Sequence, residues 1–384
     1  MSDQEQIYLT PPSVDEHEEK FVVSALRSGW VAPVGPLISS FEEALRKKFQ
    51  YRNVLALNSG TAALHLAIKL CNVTEGDKVL VGTFTFVAAA NSILYERGTP
   101  VFIDSEPSTW NIDPLLLDKR LEEAKSKKER VKAVVVTHIY GRPAQMHMIK
   151  SICSKHNVKL IEDAAEAVGS RFKNQFVGSF GDYAVLSFNG NKIITTSGGG
   201  ALICRDEKDH RRALFLAEQA KEEAGHYQHA VVGFNYRMSN LLAGVGISQL
   251  SKLDSFIERK RELFFSYKKK LEILDVFDFP DEEEQSESNY WLSTILIKKT
   301  SLDTISPQEV VEVLQTNLIE ARRFWKPLHL QPLFEKSEYL GGDVAEDFFT
   351  RGICLPCGVG LSDKNQDRVV EALKELIASR ALLK

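Results

Sequence analysis

Between about residues 50 and 205, short runs of β-branched and aliphatic residues alternate with longer stretches of helical periodicity. The runs predict strands over 53–57, 78–81, 100–104, 131–140, 158–163, 182–188 and 200–204. Between several of them lie predicted helices over 61–70, 87–95, 114–124 and 144–156. Short Val- and Ile-rich strands separated by helices build βαβ units and a largely parallel sheet with right-handed crossovers. The pattern therefore predicts an α/β fold whose large domain holds a mostly parallel seven-stranded sheet.

After Ala230 the texture changes. Ser239 is a plausible N-cap for a helix over 239–253, and a long charged amphipathic helix is expected over 253–274. The stretch 278–289 is acidic and contains proline, which predicts an exposed connection. A strand over 290–297, a helix over 307–317, an apolar segment over 351–355 and a final helix over 363–378 complete the chain. These elements divide into a large domain with an N-terminal arm, 1–254, and a smaller α/β domain, 255–384.

Composition narrows the class. The chain has 384 residues, 48 Lys+Arg against 52 Asp+Glu, and a formal net charge of -4. Single cores usually divide beyond about 250–300 residues, which agrees with two domains. The balance gives no basic footprint for nucleic acid or an anionic membrane. No apolar run approaches the ~18–20 residues of a membrane span. The acidic, polar start does not read as a signal peptide, and five scattered cysteines make no disulfide framework. A cytoplasmic protein is expected. Cys354 and Cys357 form a CxxC, yet no second pair or His set completes a zinc site, so no metal is expected.

Ligand sites in open parallel sheets lie at the carboxyl ends of strands, and three such ends carry candidate residues. Asn58-Ser59-Gly60-Thr61 joins a strand to a helix, where free N–H groups and a hydroxyl suit a single phosphate or simply cap the helix. Its spacing matches neither the P-loop nor the dinucleotide fingerprint. Glu162-Asp163-Ala164-Ala165-Glu166 ends an apolar strand, where carboxylates are costly without a compensating partner. A buried Asp facing a protonated ring nitrogen explains them; an exposed acidic loop is the alternative. In Ser187-Phe188-Asn189-Gly190-Asn191-Lys192, followed by Thr195-Thr196-Ser197-Gly198-Gly199-Gly200, a lysine stands between a strand end and a glycine-rich turn. Most lysines are surface charges, but a partly desolvated amine loses its proton and forms a Schiff base.

A phosphate cup, an acid and a lysine, in that order, are what pyridoxal phosphate requires. The set resembles the fold-type I aminotransferases, and more narrowly the DegT/DnrJ/EryC1/StrS family of nucleotide-sugar aminotransferases. The resemblance runs from Leu9-Thr10-Pro11-Pro12 and Ser28-Gly29-Trp30-Val31, through Thr83-Phe84-Thr85-Phe86-Val87 and Phe234-Asn235-Tyr236-Arg237-Met238, to Gly352-Ile353-Cys354-Leu355-Pro356. Within the family, the run from Asn189 to Gly200, Thr137-His138-Ile139-Tyr140-Gly141 and Trp325-Lys326-Pro327-Leu328-His329 look like PglE-type enzymes of bacillosamine biosynthesis.

The resemblance implies a role for each position. Lys192 carries pyridoxal 5'-phosphate as a Schiff base and moves protons, and Asp163 pairs with the pyridine nitrogen. Phe86 stacks on the ring, while Gly60, Thr61 and Ser187 hold the phosphate. Asn235 reaches the phosphate of the neighbouring subunit in a homodimer with shared sites. Glu166 stands near the phenolic oxygen, where many relatives have Gln or His; one of the two groups must then hold a proton. Trp30, Trp325, His329 and Arg237 fall to the substrate, although Arg237 is equally explained as a tie for its own loop. His138 ends a strand with no derived role. The implied reaction has two halves. L-Glutamate converts the cofactor to pyridoxamine 5'-phosphate and leaves as 2-oxoglutarate; the amine then passes to the C4 ketone of a UDP-linked 2-acetamido-2,6-dideoxy-4-keto-hexose. The alternative is a C3-aminotransferase or a dTDP-sugar aminotransferase. A sugar dehydratase on this fold commonly replaces the lysine by His, and a non-catalytic regulator would lose Lys192 or Asp163.

Overall fold

The computed structural model describes residues 5–381, so the outermost residues of both expected domains, 1–4 and 382–384, lie outside the described residues. All seven expected strands of the large sheet form. Across the sheet the order is Asn53–Leu57, Gly200–Cys204, Tyr183–Ser187, Lys159–Asp163, Val131–Thr137, Lys78–Gly82, Thr99–Ile103 and Glu338–Leu340. Gly200–Cys204 runs antiparallel to both its neighbours, and the other pairings are parallel. The strands read as near-continuous apolar runs because helices cover both faces; Val185, Ile161, Val135 and Val81 have no exposed surface.

The eighth strand corrects the expected count of seven. Glu338–Leu340 arrives from the last fifth of the chain and pairs in parallel with residues 101–103. Three residues carry no periodicity that a sequence reading can detect. The strand is fastened by charge: Arg120, 1% exposed, donates through Nε to Glu338 Oε1 at 2.6 Å and through Nη2 to Glu129 at 2.6 Å. Lys78 Nζ lies 2.8 Å from the other oxygen of Glu338.

The strand expected to reach residue 140 ends at Thr137 and gives way to a single turn, Ile139–Gly141, in which Tyr140 has φ 52°. Its apolar residues hid the turn. The two helices expected on either side of Leu253 are one helix, Asn240–Leu271, whose expected N-cap Ser239 is used: its Oγ accepts from Leu242 N–H. No breaker stands at Leu253, so the periodicity simply continues, and the boundary expected at 254/255 falls inside this helix. Helices Glu16–Ser28 and Pro36–Phe49 pack along it.

A second, antiparallel sheet holds Phe277–Asp278, Ser293–Ile297, Gly352–Leu355 and Arg322–Arg323 in that order. Ile7, from the N-terminal arm, bridges to Ile319 beside it. The expected connection 278–289 is not free throughout, since Ser286–Glu287 pairs with Arg171–Phe172. All five cysteines are buried and free. No helix among the described residues is long and apolar enough to cross a membrane.

Candidate active site

Three strand ends of the large sheet converge on a cavity of about 330 Å³. Gly60, Thr61, Phe86, Asp163, Glu166, Ser187, Lys192 and Trp325, all singled out in the sequence, line it together. The phosphate-type corner is built where Ser59 caps helix Gly60–Leu70, its Oγ accepting from Ala62 N–H at 3.0 Å. A Cβ on Gly200 would lie 2.5 Å from Gly60 N and 2.6 Å from Ser59 O, so only glycine lets strand Gly200–Cys204 press against this turn. The opposite strand supplies Ser187: a Cβ on Gly60 would stand 3.0 Å from that of Ser187.

Strand alternation decides which acid faces the cavity. Asp163 lines it, accepting one hydrogen bond from Ala165 N–H at 3.2 Å, and burial holds its carboxyl above the ordinary range. Glu162 points the other way. Its carboxylate accepts from Gly178, Phe180 and Gly181 N–H at 2.7, 2.6 and 2.5 Å. His138, fully buried, accepts Ala144 N–H at Nδ1 (3.1 Å), so its Nε2–H faces Glu162 at 3.3 Å. His138 thus pins the loop behind the strand; that is the role the sequence left undefined.

Lys192 is 12% exposed and its Nζ lies 3.8 Å from Glu166 Oε1, itself 3% exposed. Burial pushes the amine down and pushes Glu166 up to about 7, while the opposite charge of each works against both shifts. The other oxygen of Glu166 accepts from Tyr140 N–H at 2.7 Å, which explains the turn that interrupts the preceding strand. On its far side Lys192 Nζ sits 3.9 Å from the ring centroid of Trp291. A weakly basic amine, an acid without a cation partner and a helix N-terminus form one polar floor under the aromatic rings of Phe86, Trp325 and Trp291.

The model of the DegT/DnrJ/EryC1/StrS aminotransferase family matches residues 12–374 of the chain. The chain belongs to this family. EpsN of Bacillus subtilis (strain 168), assigned as a pyridoxal phosphate-dependent aminotransferase, is 48% identical over 97% of this chain and 96% of its own. The GDP-perosamine synthase of Escherichia coli O157:H7 is 34% identical over 96% of this chain and 98% of its own. The solved structure of Helicobacter pylori PseC, an aminotransferase involved in the biosynthesis of pseudoaminic acid, matches with a TM-score of 0.89 at 25% identity, covering 98% of this chain and 100% of that one.

Four residues named from the resemblance do not line the cavity of their own chain, Asn235 among them, which was expected at the neighbouring subunit's site. The Asn235 side chain is exposed outside the cavity of its own chain, and its backbone carbonyl accepts from Asn58 Nδ2 at 3.1 Å. Arg237 donates to Glu42 Oε1 at 2.7 Å and to the Ala56 carbonyl at 3.0 Å, which is the loop-tying alternative. His329 spends both nitrogens, on Thr83 Oγ1 (2.6 Å) and Glu346 Oε1 (3.2 Å), and stacks on Tyr339 with centroids 3.8 Å apart. Trp30 is 47% exposed, and its carbonyl accepts from Asn240. Conversely, Trp291 lines the cavity and was missed, since it follows an irregular polar stretch with no motif. Asn189 and Asn191, quoted only as neighbours of the lysine, line it too. The metal-type group among the described residues, Asp118, Glu122 and His156, lies outside this cavity, with Lys155 Nζ 2.9 Å from both carboxylates.

Proposed function

We propose that this sugar aminotransferase moves the amino group of L-glutamate to the C4 ketone of a UDP-linked 2-acetamido-2,6-dideoxy-4-keto-hexose. The observation that carries the reading is the meeting of Lys192, Asp163 and the capped helix N-terminus at one aromatic-walled cavity. The bacillosamine-type sugar rests on the resemblance of the run from Asn189 to Gly200. Buried, free cysteines support a cytoplasmic setting.

Pyridoxal phosphate is the cofactor, and the residues present fit it. Asp163 is a cavity-facing carboxylate, 4% exposed, with a single backbone donor and, among the described residues, no cation bonded to it, the partner a protonated pyridine nitrogen requires. Ser59, Gly60, Thr61 and Ser187 give the phosphate hydroxyls and the N-terminus of a helix. When bound, the group supplies an electron sink for carbanion charge. Lys192 anchors it covalently and, once free, moves the proton at substrate carbon as general base and acid. Its neutral form is available because burial depresses its basicity. Glu166 takes or yields the balancing proton beside it. Phe86 and Trp325, with centroids 5.5 Å apart, shield the reacting centre from water. In a homodimer, the exposed Asn235 is offered to the neighbour's phosphate corner.

The test is incubation with L-glutamate and a panel of UDP-, GDP- and dTDP-linked 4-keto and 3-keto sugars, with products identified by mass and NMR. The expected product is a UDP-4-amino sugar. Preference for a GDP- or dTDP-sugar, or a 3-amino product, overturns the substrate assignment and leaves the reaction class standing.

A further inference from the structure

The Lys192 amine is bonded to the cofactor for only part of a transamination cycle, and a released ammonium in a buried site needs a place to rest. We infer that the face of Trp291 is that place, and that Lys260 is the positioning residue that fixes it. This rests on the proposed chemistry of Lys192 and deepens it.

The geometry is specific. Lys192 Nζ stands 3.9 Å from the centroid of the Trp291 ring, which is 2% exposed. A desolvated cation over an indole face is the strongest form of this contact. The indole Nε1–H donates to the carbonyl of Asn191, the residue before Lys192, at 2.8 Å, so ring and lysine backbone move as one. Trp291 N–H donates to Asn289 Oδ1 at 2.9 Å. Tyr290 before it holds φ 47°, a left-handed conformation that a bulky residue adopts only when its surroundings enforce it.

Lys260, on the long helix Asn240–Leu271, is 2% exposed and has no carboxylate partner among the described residues. Its ammonium donates to the Trp291 carbonyl at 2.9 Å, the Cys357 carbonyl at 3.0 Å and Thr10 Oγ1 at 3.3 Å. The Cys357 thiol reaches the same Trp291 carbonyl at 3.5 Å. A buried lysine held only by neutral oxygens stands at a desolvation cost that an apolar side chain avoids. What it gains is a clamp joining the N-terminal arm, the Trp291 loop and the turn after Gly352–Leu355. This also gives the CxxC a structural use.

The charged groups facing the Lys192 amine are Glu166 and Asp163. Tyr140 and Cys354, which adjoin Glu166, are held neutral by burial, and the Lys260 amine is held at the Trp291 backbone carbonyl. Trp291 therefore adds to the carboxylates in favouring the ammonium, against burial.

The experiment adds pyridoxal phosphate to the cofactor-free protein and follows the rate of covalent attachment against pH by absorbance. Borohydride trapping and peptide mapping identify the lysine. Only the neutral amine attaches, so the rate rises with pH through the titration of Lys192. Trp291→Leu is expected to move the midpoint down by about one pH unit. Trp291→Met, which keeps bulk without a ring, is expected to do the same and serves if the Leu variant does not fold. Trp291→Phe should recover most of the shift, and Lys260→Met should move the midpoint in the same direction by less. Midpoints in folded Trp291→Leu or Trp291→Met that match the natural protein overturn the resting place. A natural midpoint in folded Lys260→Met overturns the clamp. If the natural protein never traps the cofactor on Lys192, the functional reading itself fails, and this inference with it.

Discussion

At Lys192, burial favours the neutral amine and Glu166 at 3.8 Å favours the ammonium, so a small change of surroundings moves the proton. Lys192→Ala should leave the fold intact and abolish both turnover and the borohydride-sensitive absorbance; substantial residual transamination would refute the assignment. Asp163→Asn should fold normally and lose activity by about 10²–10³-fold, the cost of removing one partner of a buried pair. Near-normal kinetics would point to another acid, although Glu162 is already committed to three backbone donors. Glu166 makes a pH prediction. Its folded value of about 7 lies above the ordinary 4.5, so the stability it lends is complete below about pH 4.5 and is lost as pH rises to 7. Glu166→Gln suffers no such loss. In cofactor-free protein the variant should gain relative to the natural chain between pH 5 and 7.5, by on the order of 1–3 kcal/mol, partly offset at Lys192. A difference in melting temperature that is flat with pH sinks this. The acid, the lysine and the phosphate corner were legible because each closes a strand in a run of distinctive small residues. Trp291 was not, because its place at the cavity comes from contacts with Lys260, Asn191 and Asn289, none near it in sequence except the last.

Among elements, the turn that carries Ser59 and Gly60 depends on the strand that follows the lysine loop. Gly200→Ala places a methyl 2.5 Å from the Gly60 nitrogen, and backbone cannot yield cheaply. It should cost about 1–3 kcal/mol of stability and weaken cofactor affinity while leaving Lys192 reactive, as thermal unfolding and a cofactor titration would show. Ser59→Ala should cost about 1 kcal/mol by uncapping the helix. Unchanged cofactor affinity in both variants would move the phosphate elsewhere. The strands of the large sheet were legible because burial on both faces leaves continuous Val- and Ile-rich runs. The single helix Asn240–Leu271 was read as two because its texture changes from small and apolar to charged where it leaves one set of neighbours for another. Helices Glu16–Ser28 and Pro36–Phe49 went unread, although Asp15 and Glu18 form a capping box that marks the first.

At the scale of the whole molecule, Asn235 gives the sharpest test. Lys192→Ala chains mixed with Asn235→Asp chains should recover activity, up to half of that of a natural dimer, because one site of a heterodimer collects both lesions and the other neither. Demonstrated chain exchange without recovery would assign Asn235 to its own subunit. The late strand Glu338–Leu340 has a different consequence, one of timing. Strand Thr99–Ile103 leaves the ribosome long before its outer neighbour, and at about 5–20 residues per second the gap is on the order of tens of seconds. Throughout that interval the nascent sheet presents an open edge, and Arg120 awaits the carboxylate of Glu338. A ribosome-stalled chain ending before Glu338 should therefore recruit chaperones or self-associate, and one extended past Leu340 should not. The last strand of the large sheet to be synthesised is the one that makes it safe.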